Sequence, residues 1–297
     1  MNKFAAVGVF GRANAGKSTL VNALVGEQVS IVSKRPQTTR KRILGILTQG
    51  ETQLVFCDTP GLHRIKNRLD AYMQEEIVST MRGLQLGMYL VDLSDIKAEE
   101  DQDYLSQLKT DEDCPMILVL NKTDLVSEEV LAEAEKTYAE FFEFDHVFKI
   151  SAKERANTDQ LLGKMVELAP DGPHAFDAEM YTSQSEREIV EEVIREIALM
   201  KYRQEIPHSM AVQVEQFKER ENGKTFIEAV IHVEKDGQKK IIIGSGGKDI
   251  KELGLLAREK LNSLLERDIF LELWVKVRSD WRKSDSWIER LGYTKSL

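Results

Sequence analysis

Residues 11–18 read Gly-Arg-Ala-Asn-Ala-Gly-Lys-Ser, and an apolar run, Phe4 to Phe10, leads straight into them. The apolar run predicts a buried strand, and the spacing from Thr19 to Val25 predicts a helix. Gly-x4-Gly-Lys-Ser between a strand and a helix is the context that separates a phosphate loop from a chance match. Glycines let the backbone curl, so successive N–H groups and the helix N-terminus point at an anion. Lys17 is expected to reach the β- and γ-phosphates and Ser18 to bind Mg2+. Gly11, Asn14, Ala15, Gly16 and Thr19 complete the expected cradle.

Working outward, the polar, basic stretch Ser33 to Arg42 contains Thr38 and Thr39 and predicts a loop. Two strand-like runs follow, Ile43 to Thr48 and Gln53 to Cys57, the second ending in Asp58-Thr59-Pro60-Gly61. A carboxylate at a strand end beside a phosphate loop can hold Mg2+ through water, and Gly61 can offer its N–H to a γ-phosphate. Helices are expected at about 70–81 and 99–109, with a strand at 88–93 between them. The strand Met116 to Leu120 ends in Asn121-Lys122-Thr123-Asp124. The Asp124 carboxylate can accept from both N1–H and N2–H of guanine, donors that adenine does not present in that arrangement. Asn121 would steady the loop and Lys122 lie over the base. Polar groups built around one base are left unpaired by the wrong one, which makes such a site selective. After a helix at 128–142 and a strand at 147–150 comes Ser151-Ala152-Lys153, where the Ala152 N–H would meet guanine O6. A last helix spans about 157–168. Strands alternating with helices predict a mostly parallel sheet with helices on both faces and ligand loops at the strands' C-terminal ends.

The 297 residues suffice for two domains, and 42% hydrophobic content supports real cores. A net charge of −9 argues against non-specific nucleic-acid binding, so any such site must be a local basic patch. Two cysteines, Cys57 and Cys114, are too few for a disulfide framework and suit a reducing cytosol. The N-terminus does not read as a signal peptide, and no stretch approaches the roughly 18 apolar residues of a membrane span.

Ala169 to Met180 carries two of the six prolines and no periodic pattern, which predicts a linker. The boundaries expected are 1–170, a linker at 171–180, and 181–297. Residues 1–170 carry 20 Lys+Arg against 26 Asp+Glu, whereas 235–283 carry 12 against 8. The second half predicts a helix at 185–200, strands at 210–215 and 225–234 joined by a turn at 221–223, a helix from Ile250 to Leu264 and a strand at 269–277. Between them lies Ile241-Ile242-Ile243-Gly244-Ser245-Gly246-Gly247-Lys248-Asp249-Ile250. By propensity alone, 241–243 is a strand. Trp274, Trp281 and Trp287 could stack on bases, but core or interface roles are expected of them.

The ordered set GRANAGKS, TTR, DTPG, NKTD and SAK resembles the five guanine-nucleotide boxes of translation-factor-class GTPases. I-I-G-x-x-G-x-x-I is similar to the core of a type II KH RNA-binding domain. Together they resemble the Era family of bacterial ribosome-assembly GTPases over essentially the whole chain. The resemblance implies an α/β P-loop GTPase domain, with a mostly parallel six-stranded sheet, followed by an α+β type II KH domain. It places Ile241 to Ile243 at the end of a short helix and makes Gly244 to Gly247 a loop that a sugar-phosphate backbone approaches. Lys239, Lys240, Ile243, Gly244, Ser245, Gly246, Gly247, Lys248 and Lys251 are the implied RNA-binding residues. It implies GTP hydrolysis involving Lys17, Thr39 and Gly61, with Mg2+ held by Ser18, Thr39 and Asp58; Thr38 is the fallback for Thr39. GTP or GDP would be bound by Gly11, Asn14 to Thr19, Asp58, Gly61, Asn121, Lys122, Asp124 and Ser151 to Lys153. Leu62 stands where Ras-like members carry a water-orienting glutamine, so water must be positioned otherwise. Asn14 matches an asparagine that helps bind K+ in some relatives. Ala13 and Ala15 stand where relatives often carry Pro and Val or Ala, and neither supplies a side-chain ligand. The implied partners are 16S ribosomal RNA near its 3′ end and the 30S subunit. A cytoplasmic monomer with peripheral inner-membrane association is expected. Two rival readings are a constitutive RNA-binding module that only senses GDP and GTP, and a membrane-associated cell-cycle switch.

Overall fold

The computed structural model describes residues 1–33, 38–61, 65–108, 113–220 and 223–293. Leu62, the expected helix end at Lys109, and Glu221 and Asn222 of the expected turn lie outside the described residues. Two compact units divide the chain: Met1–Ile65 with Asp70–Ser183, and a second that begins at Gln184 and includes Lys66–Leu69.

In the first unit the strands are β1 (Lys3–Gly11), β2 (Ile43–Gln49), β3 (Thr52–Asp58), β4 (Leu86–Asp92), β5 (Met116–Asn121) and β6 (His146–Ile150). The helices are α1 (Lys17–Val25), α2 (Arg68–Thr80), α3 (Ala98–Leu105), α4 (Glu128–Phe141) and α5 (Thr158–Leu168). The sheet order is β2-β3-β1-β4-β5-β6, parallel except for β2, which runs against β3. Alternation along the strands explains the layers. Leu86, Met88 and Leu90 of β4, with Ile117 and Val119 of β5, pack under Leu20, Val21, Leu161 and Met165 of α1 and α5. Tyr89, Val91, Leu118 and Leu120 point the other way, toward Ile77, Leu105, Leu131 and Tyr138 of α2, α3 and α4. Both faces are therefore buried, which parallel strands require because their crossover helices cover both sides.

The antiparallel β2 corrects one expectation. The loop carrying Thr39 precedes β2 and does not leave a strand's C-terminus. The register Ile43↔Asp58 nonetheless brings that loop to the same sheet edge as the end of β3.

The expected linker is also corrected. Phe4 N–H donates to Pro170 O at 3.0 Å and Gly172 N–H to Asn2 O at 2.9 Å. Gln53 Oε1 accepts from the N–H groups of Ala175 and Phe176, and Gln53 Nε2 donates to Phe176 O. Ile46 N–H donates to Tyr181 O, and Gly45 pairs with Thr182. Backbone groups at a sheet margin need partners, and this segment supplies them, so it belongs to the first unit through Ser183.

The second unit contains α6 (Glu186–Lys201), α7 (Ile206–Ser209), β7 (Ala211–Glu219), β8 (Thr225–Val233), α8 (Asp236–Ile243), α9 (Lys248–Leu265), β9 (Ile269–Val277) and α10 (Asp285–Arg290). β8 pairs antiparallel with β7 and parallel with β9. A capping box starts α6: Ser185 Oγ accepts from Glu188 N–H, and Glu188 Oε2 accepts from Ser185 N–H. Val190, Val193, Ile194 and Ala198 of α6 and Leu253, Ala257 and Leu261 of α9 cover one face of the sheet, where Ile227, Ala229 and Ile231 meet them. Burying each such branched side chain contributes about 1.5–3 kcal/mol. Ile241 to Ile243 end a helix and do not form a strand: Ile242 is fully buried in this core, a tertiary contact that overrides β propensity. Trp281 is buried and its Nε1–H donates to Ser209 O at 2.8 Å. Trp287 lies against His232, Arg278 and Arg290, whereas Trp274 is exposed on the sheet face away from the helices.

Candidate functional site

A cleft of about 740 Å3 opens at the C-terminal edge of the first sheet. It is lined by the phosphate loop, by Thr38 and Thr39, and by Gly61, Asn121, Lys122, Asp124, Ala152 and Lys153. Four of the expected nucleotide residues, Gly11, Ala15, Asp58 and Ser151, lie behind its walls.

At the phosphate end, Lys17 is buried, and its Nζ donates to the carbonyls of Gly11 and Arg12 at 2.9 and 3.0 Å. Burial pushes the Lys17 ammonium down to about 8; Asp58 opposes this and Arg12 adds to it. Ser18 Oγ donates to Asp58 Oδ2 at 2.7 Å and lies 3.0 Å from Thr39 Oγ1, which itself donates to Asp58 Oδ2 at 3.3 Å. Thr39, not Thr38, joins this triangle; Thr38 Oγ1 donates to Ser33 O. Burial raises the Asp58 carboxyl, with Lys17 and the hydroxyls of Ser18 and Thr39 pulling the other way. Asp58 Oδ1 is buried without a hydrogen-bond partner among the described residues. Two hydroxyls and one carboxylate, with its Oδ1 orphaned, form a hard-oxygen environment that fits Mg2+, which usually keeps waters and phosphate oxygens as its other ligands.

Gly61 lies so close to the loop that a Cβ there would fall 2.6 Å from Ala13 Cα and 2.7 Å from Ala13 N. Only a residue without a side chain allows that backbone approach. Asn14, at φ 68, presents a left-handed turn to the cleft.

At the other end, Asn121 acts as a knot. Its Nδ2 donates to Ala15 O at 2.8 Å, and its Oδ1 accepts from Lys122 N–H at 2.8 Å and Ala152 N–H at 3.0 Å. This modifies the expectation for Ala152, because its N–H is already donated within the protein and a guanine O6 would have to share it. Lys122, left-handed at φ 69, is ion-paired with Asp92. Asp124 stands exposed at the cleft, and Lys153 is paired with Glu154. Ser151 Oγ accepts from Glu154 N–H, closing the turn that carries Ala152.

In the second unit, Gly244 to Gly247 joins α8 to α9. Gly246 and Gly247 are left-handed at φ 61 and 78, and nothing lies within 4 Å of where their Cβ atoms would be. The loop backbone is thus open to close approach. Lys240, Lys248 and Lys251 are exposed and Lys239 half-buried. None of the four forms an ion pair among the described residues, so their charge remains available for phosphates. Beside them a groove of about 290 Å3 is walled by Ile250, Gly254 and Arg258 of α9 and by Leu271 and Leu273 of β9.

Residues 6–122 match the family described as 50S ribosome-binding GTPase, and residues 205–282 match the KH domain family. Over 287 residues, covering 97% of each chain, the sequence is 41% identical to the GTPase Era of Halothermothrix orenii.

The chain belongs to the Era family of GTPases.

Two solved Era structures agree with it in fold across both units. One is Era in complex with MgGDPNP and nucleotides 1506–1542 of 16S ribosomal RNA, at TM-score 0.95 and 32% identity, covering 99% of this chain and 100% of that one. The other is a variant of Era from Aquifex aeolicus bound to GDP·AlF4−, at TM-score 0.94 and 33% identity, with the same coverage. Within this Era-family chain, sequence reading did not single out Asp92, which holds Lys122. Nor did it single out Asp95 and Leu125, which line the cleft, or the groove between α9 and β9. Asp92 ends β4 just where the other ligand-bearing strands end, and that position was the available signal.

Proposed function

We propose that this protein is a GTP-hydrolysing switch that binds 16S ribosomal RNA near its 3′ end and assists assembly of the 30S subunit. The convergence of Ser18, Thr39 and Asp58 beside buried Lys17, at a loop tied by Asn121 to the base box, is the observation that supports it most. Lys17 and the phosphate-loop N–H groups stabilise charge on the transferring phosphoryl, and water attacks in line. Ser18, Thr39 and Asp58 are the residues that would hold Mg2+, which when bound neutralises charge between the β- and γ-phosphates. Asp124 selects guanine. Asn14 is the residue through which K+ would act. Loss of the γ-phosphate frees the segments around Thr39 and Gly61. The domains proposed are a GTPase domain through residue 183 and a KH domain after it.

The glycine loop of the KH domain, with Lys239, Lys240, Lys248 and Lys251, receives the RNA backbone, and Ile243 supports it from the core. The Era structures bound to MgGDPNP with 16S ribosomal RNA and to GDP·AlF4− support both halves of this reading. Association with the cytoplasmic face of the membrane and a monomeric state belong to the same proposal. No helix among the described residues is long and apolar enough to cross a membrane, so that association would be peripheral.

Single-turnover hydrolysis with and without the RNA segment, in K+ and in Na+, tests the enzyme. Hydrolysis is expected, and its absence in every condition would leave only a nucleotide sensor. Asp124→Asn should exchange preference for GTP for preference for xanthosine triphosphate, because an amide donates where the carboxylate accepted.

A further inference from the structure

Arg12 is the second residue of the phosphate loop, yet its side chain turns away from the cleft into the interior. Its Nε lies 3.2 Å from both carboxylate oxygens of Asp101. Its guanidinium also donates to Asp95 O and lies 3.7 Å from Asp95 Oδ2. Asp101 is completely buried and also accepts from the hydroxyls of Tyr89 at 2.6 Å and Tyr138 at 2.5 Å. One carboxylate on α3 thus ties the phosphate loop to β4 and α4. A buried ion pair of this kind resists opening, because losing either partner strands a charge.

The Arg12 peptide is where the loop turns. Its carbonyl accepts from Ala15 N–H at 3.3 Å and from Lys17 Nζ at 3.0 Å. The segment that Arg12 grips, Leu93 to Asp95, is the same turn whose first carboxylate, Asp92, is paired with Lys122 of the base box. Phosphate end and base end of the cleft therefore hang on one turn, through Arg12 and Asp92 respectively.

We propose that Asp101 is a positioning residue for nucleotide retention: through Arg12 it locks the phosphate loop to the turn at 92–95 and sets the rate at which guanine nucleotide leaves. The inference rests on the GTPase reading. It separates release from chemistry, because Asp101 touches none of the groups that would meet the transferring phosphoryl. Loosening the lock frees the two ends of the cleft together, so GDP and GTP are released faster in parallel, while the bound γ-phosphate reacts at its usual rate.

The test uses the full chain with fluorescent N-methylanthraniloyl-GDP and -GTP. Asp101→Asn and Arg12→Gln are expected to raise both dissociation rates at least tenfold, with single-turnover hydrolysis by Asp101→Asn at saturating GTP within twofold of the parent. Arg12→Lys, which keeps the charge but not the fork, should fall between. Ile46→Ala, a core change outside the network, controls for lost stability and should leave dissociation unchanged at a temperature where it is folded. Should Asp101→Asn not fold, Arg12→Gln carries the test. Unchanged dissociation rates in a folded variant would overturn the proposal, as would an equal rise in Ile46→Ala or a parallel fall in hydrolysis by Asp101→Asn. If the parent chain itself binds no guanine nucleotide, it is the GTPase reading that fails.

Discussion

Asn121 Nδ2 donates to the carbonyl of Ala15 at 2.8 Å, joining the base box to the phosphate loop across 106 positions of sequence. With its Oδ1 accepting from Lys122 and Ala152, this one buried amide fixes three loops from three strands. Asn121→Ala leaves those partners unsatisfied. At about 1–3 kcal/mol for a buried group left unpaired, GDP affinity should fall by about tenfold to a hundredfold. Titration with fluorescent GDP measures it, and an unchanged Kd would show that the knot is not needed for binding.

The depressed Lys17 ammonium makes a pH prediction with a definite sign. A lysine whose pKa is 10.5 in the unfolded chain and about 8 in the folded one is bound to more protons when unfolded between those values. Stability of the nucleotide-free protein therefore rises with pH from about 8 to 10.5 through this group, by on the order of 3 kcal/mol. Nucleotide affinity should move the opposite way, because the neutral amine no longer attracts phosphate. The readout is the difference in denaturation midpoint between the parent and Lys17→Met across that range; parallel curves would refute the assignment.

Gly61→Ala should separate the two nucleotide states. The added methyl meets the Ala13 backbone, so the segment after β3 must back away from the phosphate loop. Affinity for a non-hydrolysable GTP analogue should fall at least tenfold while GDP affinity changes less than threefold. Equal losses for both nucleotides would mean that Gly61 serves packing and not the γ-phosphate.

In the KH domain, Gly246 and Gly247 have room for side chains but not the backbone angles for them. Replacing both by Asp adds two negative charges where a phosphate would lie. Binding of a 16S 3′-end RNA should be lost, with GTP affinity preserved. RNA binding at parental strength would move the RNA site away from this loop.

His232 gives the second unit its own acid sensitivity. Burial, with the charges of Arg278 and Lys276, lowers its pKa to about 4. The unfolded chain takes up a proton between about 6.5 and 4 that the folded one refuses, so stability falls as pH drops through that range. His232→Gln should flatten the melting curve's dependence on pH there, and an unaltered dependence would clear this residue.

The nucleotide boxes were legible because each is a short contiguous pattern whose geometry is local: a loop between a strand and a helix carries its own signature. The strand at 269–277 was legible for the same reason. What lies across the sequence was not. No spacing announces that Arg12 meets Asp101 on α3, or that Asp92 meets Lys122, because the contacts form only when elements distant in sequence pack together. Residues 241–243 show how β-branched composition misleads when Ile242 and Ile243 are claimed by a core and Ile241 is left outside it. The segment after α5 has no periodicity because its own backbone, rather than its side chains, does the pairing.

That last segment bears on how the first unit behaves in isolation. β2, Ile-Leu-Gly-Ile-Leu-Thr-Gln, is an apolar strand at one end of the sheet order, and Tyr181 and Thr182 are what blunt it. An unguarded strand of that composition is a template for joining another copy. A fragment ended at residue 170 would carry that template bare and should precipitate or self-associate, whereas one ended at Ser183 should stay dispersed. The stretch that reads as a mere connector is therefore the protein's own safeguard against polymerising through its sheet.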